Sequence, residues 1–251
     1  MARIVGVHGA FHQLWGPREV GNRWIPAIRD GLWHAGTDID PESVVMAFYG
    51  DIFRPSVDEG RPSDEELLEV AQEAGLTEAF EALAGPDGLD IIAKAVGAQS
   101  LRQMINQLGR YFADDELRAT VRGRLESVVT DDTRVVIAHS MGTVVAYEAL
   151  ADHPEWDVET LLTIGSPLGS DWVFHNLRPA PSTGHGQWPG SIRRWINVAS
   201  VGDRAVEEPR LARRFGDRVT DLGVDNGHRA HDPEPYLNAP TTGRALAAAI
   251  G

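Results

Sequence analysis

Short runs of apolar, mostly β-branched residues recur along the chain at Ile4 to Val7, Val44 to Phe48, Val135 to Ala138, Leu161 to Ile164, Ile192 to Val198 and Val219 to Leu222. Most intervals between them place apolar residues at helical spacing, and strands that alternate with helices build a sheet covered on both faces. The pattern therefore predicts an α/β fold with a mostly parallel central sheet flanked by helices. A last helix, Thr242 to Ile250, closes the chain after a Pro-Thr-Thr-Gly start.

The alternation breaks between Ile52 and Val129, where helical patterns follow one another with no strand: one opens at Ser63, one fits Leu89 to Val96, and one runs from Asp114 to Val129. The last of these is expected to cover the sheet ahead of the Val135 strand. Residues 55–110, approximately, then form an inserted helical cap on a single domain spanning 1–251. A second irregular stretch, Leu168 to Gly190, shows neither periodicity and contains Trp172, His175 and Trp188. So long a loop in a compact domain is read as a working loop, its tryptophans walling a substrate pocket.

Composition narrows the function classes. With 251 residues, 42% of them apolar, the chain can bury one sizeable core. Its net charge of −14, with dispersed basic residues, would repel a phosphate backbone, so no nucleic-acid partner is expected and the acidity is read as solubility. No apolar run reaches membrane-spanning length, and strand-like residues begin at Arg3, so the expected location is cytoplasmic. The absence of cysteine excludes disulfides and thiolate catalysis. No glycine-rich phosphate loop is present, and neither a cofactor nor a metal is expected: His8 and His12 straddle a strand end, and His228, His231 and Asp232 are read as loop residues.

Chemistry concentrates at Ala138-His-Ser-Met-Gly142, where the Arg134 to Ala138 strand runs directly into a helix-forming stretch, Thr143 to Leu150. A sharp strand-to-helix turn lifts a serine hydroxyl off the sheet and aims the next backbone N–H at substrate. Small flanking residues, here Ala138 and Gly142, suit such a turn. Ser140 is therefore the candidate nucleophile.

Acyl transfer through a serine needs two oxyanion donors, a base and an orienting acid. Met141 N–H follows the serine, and the first strand ends in His8-Gly-Ala-Phe11, which offers Ala10 N–H as the second donor with Phe11 as alternative. Asp203 follows the Ile192 to Val198 strand and is the candidate acid; Glu207 and Glu208 are weaker because a helix is expected to start there. The base is sought after the final strand, where His231 precedes the Pro-rich entry to the terminal helix and His228 is the alternative beside an Asn-Gly turn. Phe11, His139, Trp172 and Trp188 are candidate substrate contacts.

The chain order Ser140, Asp203, His231 differs from the chymotrypsin and subtilisin orders and resembles that of α/β-hydrolases. Ala138-His-Ser-Met-Gly142 is similar to the elbow of small bacterial lipases, and His8-Gly-Ala10 to their oxyanion turn. Thr163 to Leu168 and Trp195 to Val198 also resemble strands of that branch, so the likeness covers roughly 1–50 and 112–251. The resemblance implies an α/β-hydrolase fold of lipase or esterase type. It implies a small-molecule acyl substrate and ester hydrolysis, of a carboxylester or thioester, through an acyl-enzyme. Amide cleavage, acyl transfer with the same residues, or a noncatalytic binding protein on the same fold are the competing expectations.

Overall fold

The computed structural model describes residues 3–55 and 106–251. A six-stranded, all-parallel sheet forms the centre: β1 Arg3–Val7, β2 Val44–Ala47, β3 Thr133–His139, β4 Thr160–Ile164, β5 Arg194–Ser200 and β6 Val219–Val224, in the order β2-β1-β3-β4-β5-β6. Helices α1 Pro17–Trp33, α2 Asp115–Glu126, α3 Met141–Asp152, α4 Asp171–Asn176, α5 Ala212–Phe215, α6 Pro233–Asn238 and α7 Pro240–Ile250 flank it. Each expected apolar run contains a strand, although Phe48 lies beyond the end of β2 and Ile192 before the start of β5.

Strand alternation divides the side chains between two cores. Val136, Ala138 and Leu161 join a cluster with α3 residues such as Val144 and Val145, whereas Val135, Ile137, Leu162 and Ile164 join one with Val20, Trp24 and Ile28 of α1 and Leu246 of α7. Both faces are thus dry, and each fully buried aliphatic side chain contributes about 1.5–3 kcal/mol. The buried strand faces explain why continuous apolar runs, rather than alternating ones, marked these strands.

Sheet order also fixes where a ligand can be met. The chain steps from β1 to β2 on one side and returns past β1 to β3 on the other. At such a reversal, the loops leaving the carboxyl ends of the two strands diverge and open a crevice. His8 to Phe11 and Ser140 leave β1 and β3 at that reversal.

Helix α3 is buried around its whole circumference through Leu150, including Glu148. That carboxylate is fully partnered: Tyr111 Oη donates at 2.7 Å, Arg118 Nε at 2.8 Å and Arg178 N–H at 3.0 Å, and Arg118 also donates to Asn176 O at 2.8 Å. A buried charge of this kind is tolerable only with such pairing, and here it pins the serine-bearing helix to α2 and to the loop after α4.

The expected cap falls largely outside the described residues, as do the Ser63 and Leu89 to Val96 helices; residues 106–113 are helical. The Leu168 to Gly190 stretch is less irregular than its sequence suggests. It contains a 3₁₀ turn, Pro167–Gly169, and the six-residue helix α4, whose Val173 N–H donates to Ser170 Oγ at 3.4 Å. Six residues are fewer than two turns, too short for helical periodicity to register. Among the described residues no helix is long and apolar enough to cross a membrane.

Candidate active site

Ser140 occupies the junction between β3 and α3 with φ 52° and ψ −128°, a left-handed backbone that costs a non-glycine residue on the order of 1–3 kcal/mol. The surroundings hold it there. Its N–H donates to Ile164 O at 3.1 Å, and its carbonyl accepts from Thr143 N–H at 2.9 Å and Thr143 Oγ1 at 2.7 Å. Close packing completes the turn: a Cβ on Gly142 would stand 2.3 Å from His8 O and 2.5 Å from Val7 O. Glycine at 142 is thus required by the end of β1 rather than by Ala138, which lies within the sheet ladder opposite Val7 and Thr163. Gly9 is equally confined, since a Cβ there would meet Ser140 Cβ at 2.8 Å and His139 Nδ1 at 2.9 Å.

Loops after β5 and β6 bring the remaining partners to the serine. His231 Nδ1 lies 2.9 Å from Asp203 Oδ2, and its Nε2 lies 3.0 Å from Ser140 Oγ. Because a carboxylate only accepts, the imidazole proton belongs on Nδ1, which leaves the Nε2 lone pair facing the serine hydroxyl. Asp203 is buried and accepts two more hydrogen bonds, from Ala205 N–H at 3.0 Å and Tyr236 Oη at 2.6 Å. Tyr236 in turn accepts from Ser200 N–H at 2.9 Å. Burial, with the neighbouring Asp203 charge, pushes the Tyr236 hydroxyl far above the usual phenol range, so it remains a donor.

The alternatives named from sequence lie elsewhere. His228 is exposed in a 3₁₀ turn, Gly227–Arg229. Glu208 pairs with Arg213 at 2.6 Å and accepts from Arg210 N–H, and Glu207 is exposed. Among the substrate contacts, His139 requires correction: it is buried at 4% exposure, and its Nε2–H donates to the carbonyl of His231 at 2.8 Å. It braces the loop carrying His231 from beneath. Trp188 also departs from expectation, donating to Ile192 O at 2.8 Å and packing on Trp195 at the amino end of β5, opposite to the end that carries Asp203. Trp172 is half-buried on α4 with its ring edge toward Phe112 at 5.3 Å. Phe11 is half-buried at φ 76°, a second left-handed residue beside the site.

Around the β1 turn, neutral imidazoles serve the backbone. His8 Nδ1–H donates to Gly9 O at 2.7 Å while its Nε2 accepts from Tyr49 N–H at 3.1 Å, which settles its tautomer. Burial, reinforced by His12, depresses His8 to about 3; burial also lowers His12, and burial with His231 nearby lowers His139 well below the usual imidazole range. No described residue accepts a hydrogen bond from the N–H groups of Ala10, Phe11 or Met141. Among the described residues no group of three or more acidic or histidine side chains could hold a metal ion.

Neither Tyr236 nor the bracing role of His139 was visible in the sequence, since both depend on which loops meet in space. No protein-family model matches the chain, and no curated protein matches it.

Proposed function

We propose that this chain is a serine hydrolase of the α/β-hydrolase type, resembling the lipase and esterase branch, that cleaves a carboxylester or thioester of a small molecule. The supporting observation is the continuous contact from Asp203 through His231 to Ser140 Oγ, at 2.9 and 3.0 Å, on a serine held in a strained turn. Ser140 attacks the acyl carbonyl as its proton passes to His231 Nε2. Asp203 holds Nδ1–H and stabilises the imidazolium that forms. Met141 N–H and Ala10 N–H receive the oxyanion, worth on the order of 3 kcal/mol per donor. Collapse expels the alcohol or thiol, which takes the proton from His231; water, deprotonated by the same imidazole, then releases the acid and frees the serine. The Trp172 face bounds the acyl pocket in this reading.

The test is intact-mass analysis after exposure to a fluorophosphonate probe, beside hydrolysis of short p-nitrophenyl esters. The expected result is one probe adduct on the wild type, none on Ser140→Ala, and ester turnover by the wild type alone. A folded wild type that takes no probe and turns over no ester overturns the proposal.

A further inference from the structure

One hydrogen-bond donor sits where it can govern both candidates for the second oxyanion donor, Ala10 N–H and Phe11 N–H, at once. His12 Nδ1 lies 3.1 Å from Gly9 O and 2.9 Å from Ala10 O. Carbonyl oxygens only accept, so Nδ1 carries the proton and shares it between two successive carbonyls. Those carbonyls belong to the peptide units whose other ends are Ala10 N–H and Phe11 N–H. Neither bond is cis, the sole cis peptide among the described residues being Arg178–Pro179. In a planar trans peptide the C=O and N–H point in opposite directions, so fixing both carbonyls toward the imidazole turns both N–H groups away from it.

We infer that His12 is a positioning residue of the oxyanion site: its imidazole gathers the Gly9 and Ala10 carbonyls on one side of the loop and thereby presents the Ala10 and Phe11 N–H groups on the other. The inference rests on the serine hydrolase reading above and extends it to a residue outside the His8-Gly-Ala motif. Packing fixes the ring in turn, against His8 at 4.6 Å and edge-on to Trp15 at 4.9 Å between centroids. His8 adds a second donor to Gly9 O at 2.7 Å, so that carbonyl is doubly held. A hydrogen-bonded carbonyl polarises its peptide, which makes the N–H at the far end a stronger donor. The next residue, Phe11, has a left-handed φ of 76°. Burial keeps the ring uncharged, so the arrangement does not depend on a protonated imidazole.

His12 is half-buried, whereas His8 is fully buried and tied to Tyr49 N–H, so substitutions at 12 separate positioning from folding more cleanly. His12→Leu removes the donor; His12→Asn places an amide N–H close to the Nδ1 position. With a p-nitrophenyl ester, His12→Leu is expected to lower kcat about tenfold with KM within about twofold, and to slow fluorophosphonate labelling by a similar factor, while His12→Asn recovers to within about threefold of wild type. Should His12→Leu fail to fold, His12→Ala carries the same comparison. A folded, donor-less variant with wild-type kcat, or His12→Asn as slow as the donor-less variant, overturns the inference while the labelled wild type leaves the hydrolase reading intact. A wild type that takes no label overturns both.

Discussion

The segment carrying Ser140 and the segment carrying His231 meet at a single 3.0 Å contact, yet they are built in opposite ways. Residues Ala138 to Leu150 are buried throughout, and the serine's strained backbone is enforced from all sides by strand ladder, helix and the end of β1. Around His231 the neighbours His228, Arg229 and Asp232 are exposed. There the geometry comes from a few directional bonds to buried residues: Asp203 on the ring, His139 on the carbonyl, and Tyr236, itself bonded to Asp203, at the following helix. Packing tolerates little change without loss of fold, whereas hydrogen bonds can be removed singly. Damage to the packing around Ser140 should therefore register as stability, and loss of the bonds around His231 as rate.

The sharpest form of that contrast is His231→Ala. Losing the proposed base is expected to lower kcat at least about a thousandfold, roughly 4 kcal/mol of barrier, while urea unfolding shifts by under about 1 kcal/mol because the side chain is only half-buried. His228→Ala, at an exposed position, should leave both quantities at wild-type values. Comparable losses of rate from the two variants would mean that the base has been misassigned.

Gly142→Ala tests the other side. The new methyl would press on the backbone oxygens of His8 and Val7 at 2.3 and 2.5 Å, neither of which can move without displacing β1. Destabilisation of about 3 kcal/mol is expected in urea unfolding. A loss below about 1 kcal/mol would show that the turn relaxes, and the contrast with the histidine segment would weaken.

Acidity should also strike the packed side first. His8, His12 and His139 are neutral when folded but free to take protons once unfolded. Below the ordinary value of 6.5 the unfolded chain thus binds more protons, so stability falls as pH falls; for His8 the window runs from 6.5 down to about 3. At about pH 5 that residue alone costs about 2 kcal/mol. Urea midpoints measured between neutrality and about pH 5 should decline. Replacing His12 by Asn should flatten the decline in part. A midpoint independent of pH in that range would count against the buried, neutral assignment.

The two segments also differ in what their sequence disclosed. Strands were legible because buried parallel strands read as continuous apolar runs, and Ser140 because its motif, its strand and its helix are contiguous. Asp203 and His231, the proposed acid and base, are expected from chain order, but the choice between His231 and His228 rests on loop position alone. The direction of His139 and the attachment of Trp188 to the amino end of β5 were hidden, because neighbours in sequence say nothing about which face a loop presents. Tyr236 was equally hidden, its partner Asp203 lying 33 positions away. Helix α4 was too short to show a period, and the expected cap falls largely outside the described residues.

Tyr236→Phe has the smallest expected effect and separates the two modes of support most finely. The substitution keeps the buried ring and removes only the hydroxyl, which donates to Asp203 Oδ2 and accepts from Ser200 N–H. Asp203 retains His231 Nδ1–H and Ala205 N–H, so its carboxylate stays held, though with one fewer anchor. Ser200 N–H, in contrast, is left without its acceptor in a buried setting, a loss worth about 1 kcal/mol of stability. The acid then has more freedom to rotate, and kcat should fall about fivefold, close to 1 kcal/mol of barrier, with KM nearly unchanged. Equal, modest losses of rate and stability would place Tyr236 on the boundary between packed and hydrogen-bonded support. A rate loss as large as that of His231→Ala would instead mean that the carboxylate depends on the phenol for its placement, and that the histidine segment is less separable than its exposure implies.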